Sequence, residues 1–236
     1  MHEQYLLVWL EAPLQSWGHD SKFGRRDSLD FPTKSGLFGL FCCARGAGGP
    51  EVEWLRNWAD VDMQVVAYTR KDFAGKPLQR LPTLADFHMV GSGYDPLDPW
   101  ESLFVPKTSE GKRAVGGGSK MTYRYYLQDM AYAVILKAPE DMISEVAQAL
   151  MMPVWDLYLG RKNCVPTEFI FQGVHSSEDL AIQAAEKIAE GKKRGASFKV
   201  LQGVHDGEAL IINDVPLQFG KDKRYRDRQV TLIKLD

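Results

Sequence analysis

The chain has 236 residues, of which 44% are hydrophobic and 11% aromatic, and it carries a formal net charge of −2. That is enough apolar material to bury a core in one large domain or two small ones, which excludes an intrinsically disordered chain. No apolar run approaches the roughly 20 residues of a bilayer-spanning helix, so a cytoplasmic protein without a membrane partner is expected. The three cysteines, Cys42, Cys43 and Cys164, suit a reduced compartment, and the five histidines are scattered without metal-ligand spacing, so no metal or other cofactor is expected.

The first element is a strand over Gln4–Glu11, built on YLLVWL. A loop with the sequence APLQSWG follows, and then a helix over Thr33–Arg45. Thr33 supplies the N-cap hydroxyl after Pro32, Leu37, Leu40, Phe41 and Ala44 recur at helical spacing, and Gly46 ends the run. Gly36, Gly39 and Cys43 share one flank, leaving a narrow face that another backbone can approach. The free amides of Lys34, Ser35 and Gly36, with the Lys34 ammonium beside them, predict an anion at the helix start, and a phosphate fits. The same signals also describe an ordinary capped helix lying on a sheet.

A second strand is predicted over Val61–Arg70. Residues 72–122 then lack any sustained period and carry LPT, YDPLDPW, VPK and the run Gly116–Gly118, which marks a functional insertion read as a projecting hairpin. A strand over Tyr125–Ala138 closes it. Pro139 opens a second helix whose buried stripe is Ile143, Val146, Ala147 and Leu150, and Pro153 stops it. The turn YLGRKNC places Arg161 and Lys162 directly after Gly160, ahead of a strand at Phe169–Val174. Strand, helix, strand, strand, helix, strand is the βαββαβ order of an α+β, ferredoxin-like (RRM-like) domain, here residues 1–174. Residues 175–236 form an extension packed on it: a helix capped by Ser176 and Asp179, then strands at 198–202, 209–212 and 229–235. Lys192, Lys193 and Arg194 read as complements of that helix's dipole.

The cations are clumped although the net charge is slightly negative. Lys107, Lys112, Arg113, Lys120 and Arg124 face Glu110 alone in residues 107–124, whereas Lys221, Lys223, Arg224, Arg226 and Arg228 read as solvated loop charge. The first group suits a phosphate track.

APLQSWG, PTKSGLFGLF, DFH at Asp86–His88, YRYYLQDMAY and YLGRKNC, in that order over residues 5 to about 171, resemble the CasD family, the RAMP-superfamily subunits of type I-E CRISPR Cascade. The resemblance implies a ferredoxin-like RAMP domain with a thumb hairpin at 72–122 and a glycine loop at Leu159–Asn163. It further implies binding of the CRISPR RNA 5′ handle and capping of the backbone filament. The implied partners are the Cascade backbone subunit and large subunit, with target DNA reached through the complex. Single-stranded RNA is held by aromatics that stack bases and cations that follow the backbone. The candidate residues are Gln15, Trp17, Lys22, Arg25 and Arg26 in the first loop, and Lys34 and Ser35 at the helix start. His88, Lys107, Lys112, Arg113, Lys120, Tyr123 and Arg124 belong to the thumb, and Gly160, Arg161 and Lys162 to the glycine loop. For Trp17 a core position is the alternative, and Gln15 either braces a turn or reads a base edge.

Two rival readings remain. A metal-independent endoribonuclease processing repeat RNA would draw on His88, Lys120 and Tyr123, although no spacing locks them together. A protein-interaction module would use Trp100 and the LFVP segment. A non-enzymatic RNA-binding subunit is the reading carried forward.

Overall fold

The structure is a computed structural model that describes residues 3–19, 21, 24–91, 97, 100, 103, 105–114 and 119–235. Its centre is strand β1 (Glu3–Glu11), flanked by β7 (Ala131–Pro139) and β8 (Phe171–His175), with β4 (Asp62–Arg70) beyond β7. All three of these pairings are antiparallel. The YLLVWL run is continuously apolar because β1 is covered on both faces. Leu6, Val8 and Leu10 pack toward helices α1 (Lys34–Arg45) and α3 (Glu140–Met151), and Leu7 and Trp9 toward α4 (Glu178–Gly191). The short helix α2 (Val52–Trp58) closes the α1 side, where Phe38, Phe41, Trp54 and Trp58 form one aromatic cluster.

The C-terminal strands extend the same sheet. β9 (Arg194–Gln202) pairs with β4, then β11 (Arg224–Lys234) with β9 and β10 (Glu208–Gln218) with β11, giving the order β10-β11-β9-β4-β7-β1-β8. β10 and β11 are each 11 residues long, and the basic run placed in a loop from the sequence mostly lies in β11. Arg224, Arg226 and Arg228 alternate there with Tyr225, Asp227 and Gln229, and Arg228 is buried on the same face as Val230.

Local chemistry sets the helix ends. The Thr33 hydroxyl accepts from the Gly36 N–H at 3.1 Å and Gly46 takes φ +70° to end α1, as expected. The cap of α4 is Ser177, one residue later than expected, with its hydroxyl accepting from the Leu180 N–H. Ser176 and Asp179 therefore form no capping box. Arg194 is not a dipole complement either. It is buried in β9, where its guanidinium binds Glu11 at 2.9 Å and Asp129 at 2.8 Å.

The expected strand over Tyr125–Ala138 is two strands. β6 (Lys120–Gln128) ends at Asp129, a residue at φ +50° whose carboxylate is held by Arg70 and Arg194, and β7 starts two residues on in the main sheet. β6 belongs to a second sheet, paired antiparallel with β5 (Leu84–Val90) and β2 (Leu14–Gln15) and parallel with β3 (Arg25–Arg26). The insertion is thus a hairpin of β5 and β6. Among the described residues no helix is long and apolar enough to cross a membrane.

Candidate nucleic-acid interface

Four segments distant in sequence are stitched together at the base of the β5–β6 hairpin. The Ser16 N–H donates to Leu159 O at 3.2 Å, the Ser16 hydroxyl to Tyr125 O at 3.2 Å, and the Tyr123 N–H to Gly24 O at 2.7 Å. The first loop, β3, β6 and the glycine loop therefore share one surface. Gly160 is indispensable there. It sits at φ +92°, and a Cβ at this position would lie 1.7 Å from Ser16 O.

Strand alternation sorts the hairpin into two faces. On one, Phe87 lies opposite Tyr123 and Met89 opposite Met121; all four are exposed, and the Phe87 and Tyr123 rings sit 5.2 Å apart. Arg25 is in register with Tyr123, and its guanidinium lies 4.9 Å over the Tyr125 ring while binding Asp27 at 2.8 Å. The opposite face carries Lys120, Thr122, Arg124, His88 and Asp86, with Arg26 in register beside Arg124. Arg124 donates to the Thr122 hydroxyl at 3.3 Å. His88 lies 3.7 Å from Asp86. At its base, Arg161 reaches back from the glycine loop, donates to Arg26 O at 2.8 Å and lies 4.6 Å over the Tyr126 ring. One of its nitrogens is buried without a partner among the described residues. Asn163 binds the Tyr126 hydroxyl at 3.2 Å, and Lys162 is exposed.

Several expected RNA contacts are spent inside the fold. Gln15 is wholly buried, donating to Met130 O at 2.7 Å and Leu10 O at 3.2 Å and accepting from the Trp17 indole, so it braces the loop. Trp17 is a core residue packed on Gly36, the alternative weighed for it. Lys34 is corrected from phosphate clamp to core residue. It is 1% exposed, and its ammonium donates to Ala59 O at 2.8 Å and Val61 O at 2.6 Å. The anion expected at the start of α1 is real but intramolecular. Asp214 accepts from the Lys34 N–H at 2.7 Å and pairs with buried Arg228, also at 2.7 Å. Its carboxylate takes the place assigned to a phosphate.

Ser35 is partly exposed and lines, with Gly36, Gly39, Leu40, Cys43, Tyr158 and Gly160, a groove of about 240 Å³ between α1 and the glycine loop. The small flank of the helix serves this groove. A Cβ on Gly39 would meet nothing within 4 Å, whereas one on Gly36 would strike Trp17. Lys107, Lys112 and Arg113 sit on a separate small turn, where Lys107 bridges to Arg113 and Lys112 pairs with Glu110. Lys22 and the Gly116–Gly118 run lie outside the described residues. His88 and Tyr123 project to opposite faces of the hairpin, so the catalytic trio considered from the sequence is not assembled. Phe87, Met89 and Met121 were missed; the signal was the alternation in LADFHMV against KMTYRYYLQ.

The burial of Lys34 has a titration consequence. Desolvation, reinforced by Arg228, pulls its ammonium from 10.5 down to about 8. Below that value both folded and unfolded chains hold the proton, and the folded state carries the cost of a buried charge. Between about 8 and 10.5 only the unfolded chain holds it, so this group makes stability rise with pH across that window. The shift corresponds to about 3 kcal/mol. Urea denaturation of the wild type and Lys34→Met should show the wild type gaining stability relative to the variant as pH rises through this range; parallel profiles would contradict the assignment.

Comparison with known proteins gives a consistent picture. The family described as CRISPR-associated protein (Cas_Cas5) matches residues 5–231. The CRISPR system Cascade subunit CasD of Escherichia coli (strain K12) is 28% identical over 178 residues, 74% of this chain and 73% of that protein. A chain solved in a CRISPR RNA-guided surveillance complex superposes with a TM-score of 0.69 at 27% identity, covering 98% of this chain and 89% of that one. A second solved chain, described as a Cas protein, gives 0.61 at 25% identity, covering 98% and 94%.

Proposed function

The chain belongs to the CRISPR-associated Cas5 family, and on that premise we propose that it is the non-catalytic CRISPR RNA-binding subunit of a type I-E surveillance complex. In this reading it holds the 5′ handle of the RNA and caps the backbone filament. Its partners are the backbone and large subunits, and target DNA is reached through the complex, in the cytoplasm. The observation that carries the reading is the exposed Phe87–Tyr123 pair at the base of a hairpin edged with arginine. The two rings pack on each other and still leave about half of each residue exposed, and nucleobases stacking on that surface are the partner such a face fits. Phosphates of the same strand would meet Arg25 on that face and Arg26, Lys120, Arg124 and Lys162 around the hairpin. The groove beside Gly39 admits a backbone against α1.

The sequence of elements β1, α1, β4, β7, α3, β8 supports a ferredoxin-like RAMP core, with β5–β6 as its thumb and residues 175–236 as an extension of the sheet. The net charge of −2 favours RNA shared with neighbouring subunits over tight binding by the lone chain.

Incubating the purified chain with labelled repeat RNA at low salt tests the reading. Retention without cleavage is expected; cleavage would point to the endoribonuclease, and neither would remove RNA from the account. Phe87→Ala and Tyr123→Ala should each weaken retention by about 1–3 kcal/mol, the range for one base stacked on an aromatic side chain. Their melting temperatures should stay near that of the wild type, since both rings are exposed. Unchanged affinity in both variants would show that the aromatic face is not the platform.

A further inference from the structure

A second cavity, of about 430 Å³, opens beside the start of α1, between the first loop and the β10–β11 pair. His19, Ser35, Ile211, Asn213, Tyr225 and Asp227 line it. Nothing in the RNA reading above uses it, yet Ser35 also lines the groove beside Gly39, so the two are neighbours.

Its walls are fixed rather than adaptable. Asn213 and Asp227 are directly opposed across β10 and β11, and the Asn213 amide donates to the Asp227 carboxylate. Strand alternation turns Asp214 inward on the face of Ile212, where it locks onto Arg228 and the Lys34 N–H. The same alternation leaves Asn213 facing out beside Ile211, and the Asp214 contact ties the cavity wall to α1.

The chemistry is selective. Among the described residues no lysine or arginine lines the cavity, and the Asp227 carboxylate repels phosphate. Ile211 and Tyr225 offer apolar surface to the faces of a flat ring. A carboxylate is an acceptor only, so it rewards an edge with adjacent N–H donors. Guanine alone among the unmodified bases has two such donors side by side, N1–H and the exocyclic amine. The carbonyls flanking the single imino proton of uracil would be pushed away, and adenine would bring a ring acceptor against the carboxylate. The amide of Asn213 keeps a second N–H for a carbonyl such as guanine O6.

We propose that this cavity is a guanine-reading pocket, with Asp227 as the reader and Asn213 as its partner. The proposal rests on the RNA reading for its setting. The base belongs to a strand running through the adjacent groove, and a free guanine nucleotide shares the same chemistry.

The test measures binding of the full chain at low salt to fluorescent RNA octamers: all-uridine, and the same with one central guanosine, inosine or adenosine, with guanosine monophosphate as a separate probe. The guanosine octamer should bind at least tenfold tighter than the adenosine one, with inosine between because it lacks the exocyclic amine. Asp227→Asn should erase that preference while leaving all-uridine binding unchanged, and Asn213→Ala should reduce it. Both residues are exposed, so the fold should hold, which a melting curve verifies. No preference in the wild type, or a preference that survives Asp227→Asn, overturns the pocket. Binding of guanosine monophosphate as tightly as the guanosine octamer, lost in Asp227→Asn, supports the pocket with a free nucleotide as its ligand. If in addition the all-uridine octamer does not bind, it is the RNA reading that fails. If no probe binds, both fail.

Discussion

Asp214→Ala should destabilise the protein by about 3–5 kcal/mol, the cost of leaving a buried charge without its partner. Asp214 and Arg228 are both buried and joined by two hydrogen bonds, at 2.7 and 2.9 Å. Removing the carboxylate also strips the Lys34 N–H of its acceptor at the positive end of α1. Three N–H donors, two on the Arg228 guanidinium and one on the Lys34 backbone, lose their acceptor at once, and the C-terminal hairpin loses this fastening to the helix. Replacing both members, Asp214→Leu with Arg228→Met, should recover most of the loss, because the uncompensated guanidinium is then gone. Urea denaturation measures it. A loss below about 1 kcal/mol in the single variant, the scale of a surface pair, would show that the pair is solvated in solution.

Gly160→Ala should cost about 3 kcal/mol or more and abolish RNA retention together with stability. Part of the cost is the left-handed backbone, on the order of 1–3 kcal/mol for a residue with a side chain. The rest is steric. A Cβ 1.7 Å from Ser16 O forces the glycine loop away from the first loop, breaking the Ser16 N–H bond to Leu159. Because the Ser16 hydroxyl also holds Tyr125, the displacement propagates to β6 and the aromatic face. A variant with unchanged melting temperature would mean that the loops part without penalty.

The fold was legible where burial on both faces or capping chemistry wrote it plainly. YLLVWL announced a strand, Thr33 and Gly46 bracketed α1, and the aperiodic stretch from residue 72 marked where the chain leaves the main sheet. The break at Asp129 was not legible, since β-formers run through both flanks and only one aspartate marks the turn. The C-terminal strands were seen only in part, and the first half of β11 was hidden because arginines alternating with Tyr225, Asp227 and Gln229 look like loop charge. The site divided in the same way. Arg161 of the glycine loop reaches Arg26, which lies beside Arg124, while Tyr123 takes the other face of the hairpin. Lys34 misled because a lysine at a helix start is normally solvated, and only the tertiary fold supplies Asp214, 180 residues away, as its anion. Phe87 escaped because its significance lies in pairing with Tyr123 across the hairpin, which a linear reading does not show.

Ultraviolet crosslinking of repeat RNA to the full chain, followed by mass spectrometric mapping of the adducts, tests the central claim most directly. The account predicts adducts on Phe87 and Tyr123 and in the segments around Arg25 and Arg161, with none on α4 across the sheet. Adducts concentrated on α4 or on the 106–114 turn, with the hairpin base unmarked, would contradict it.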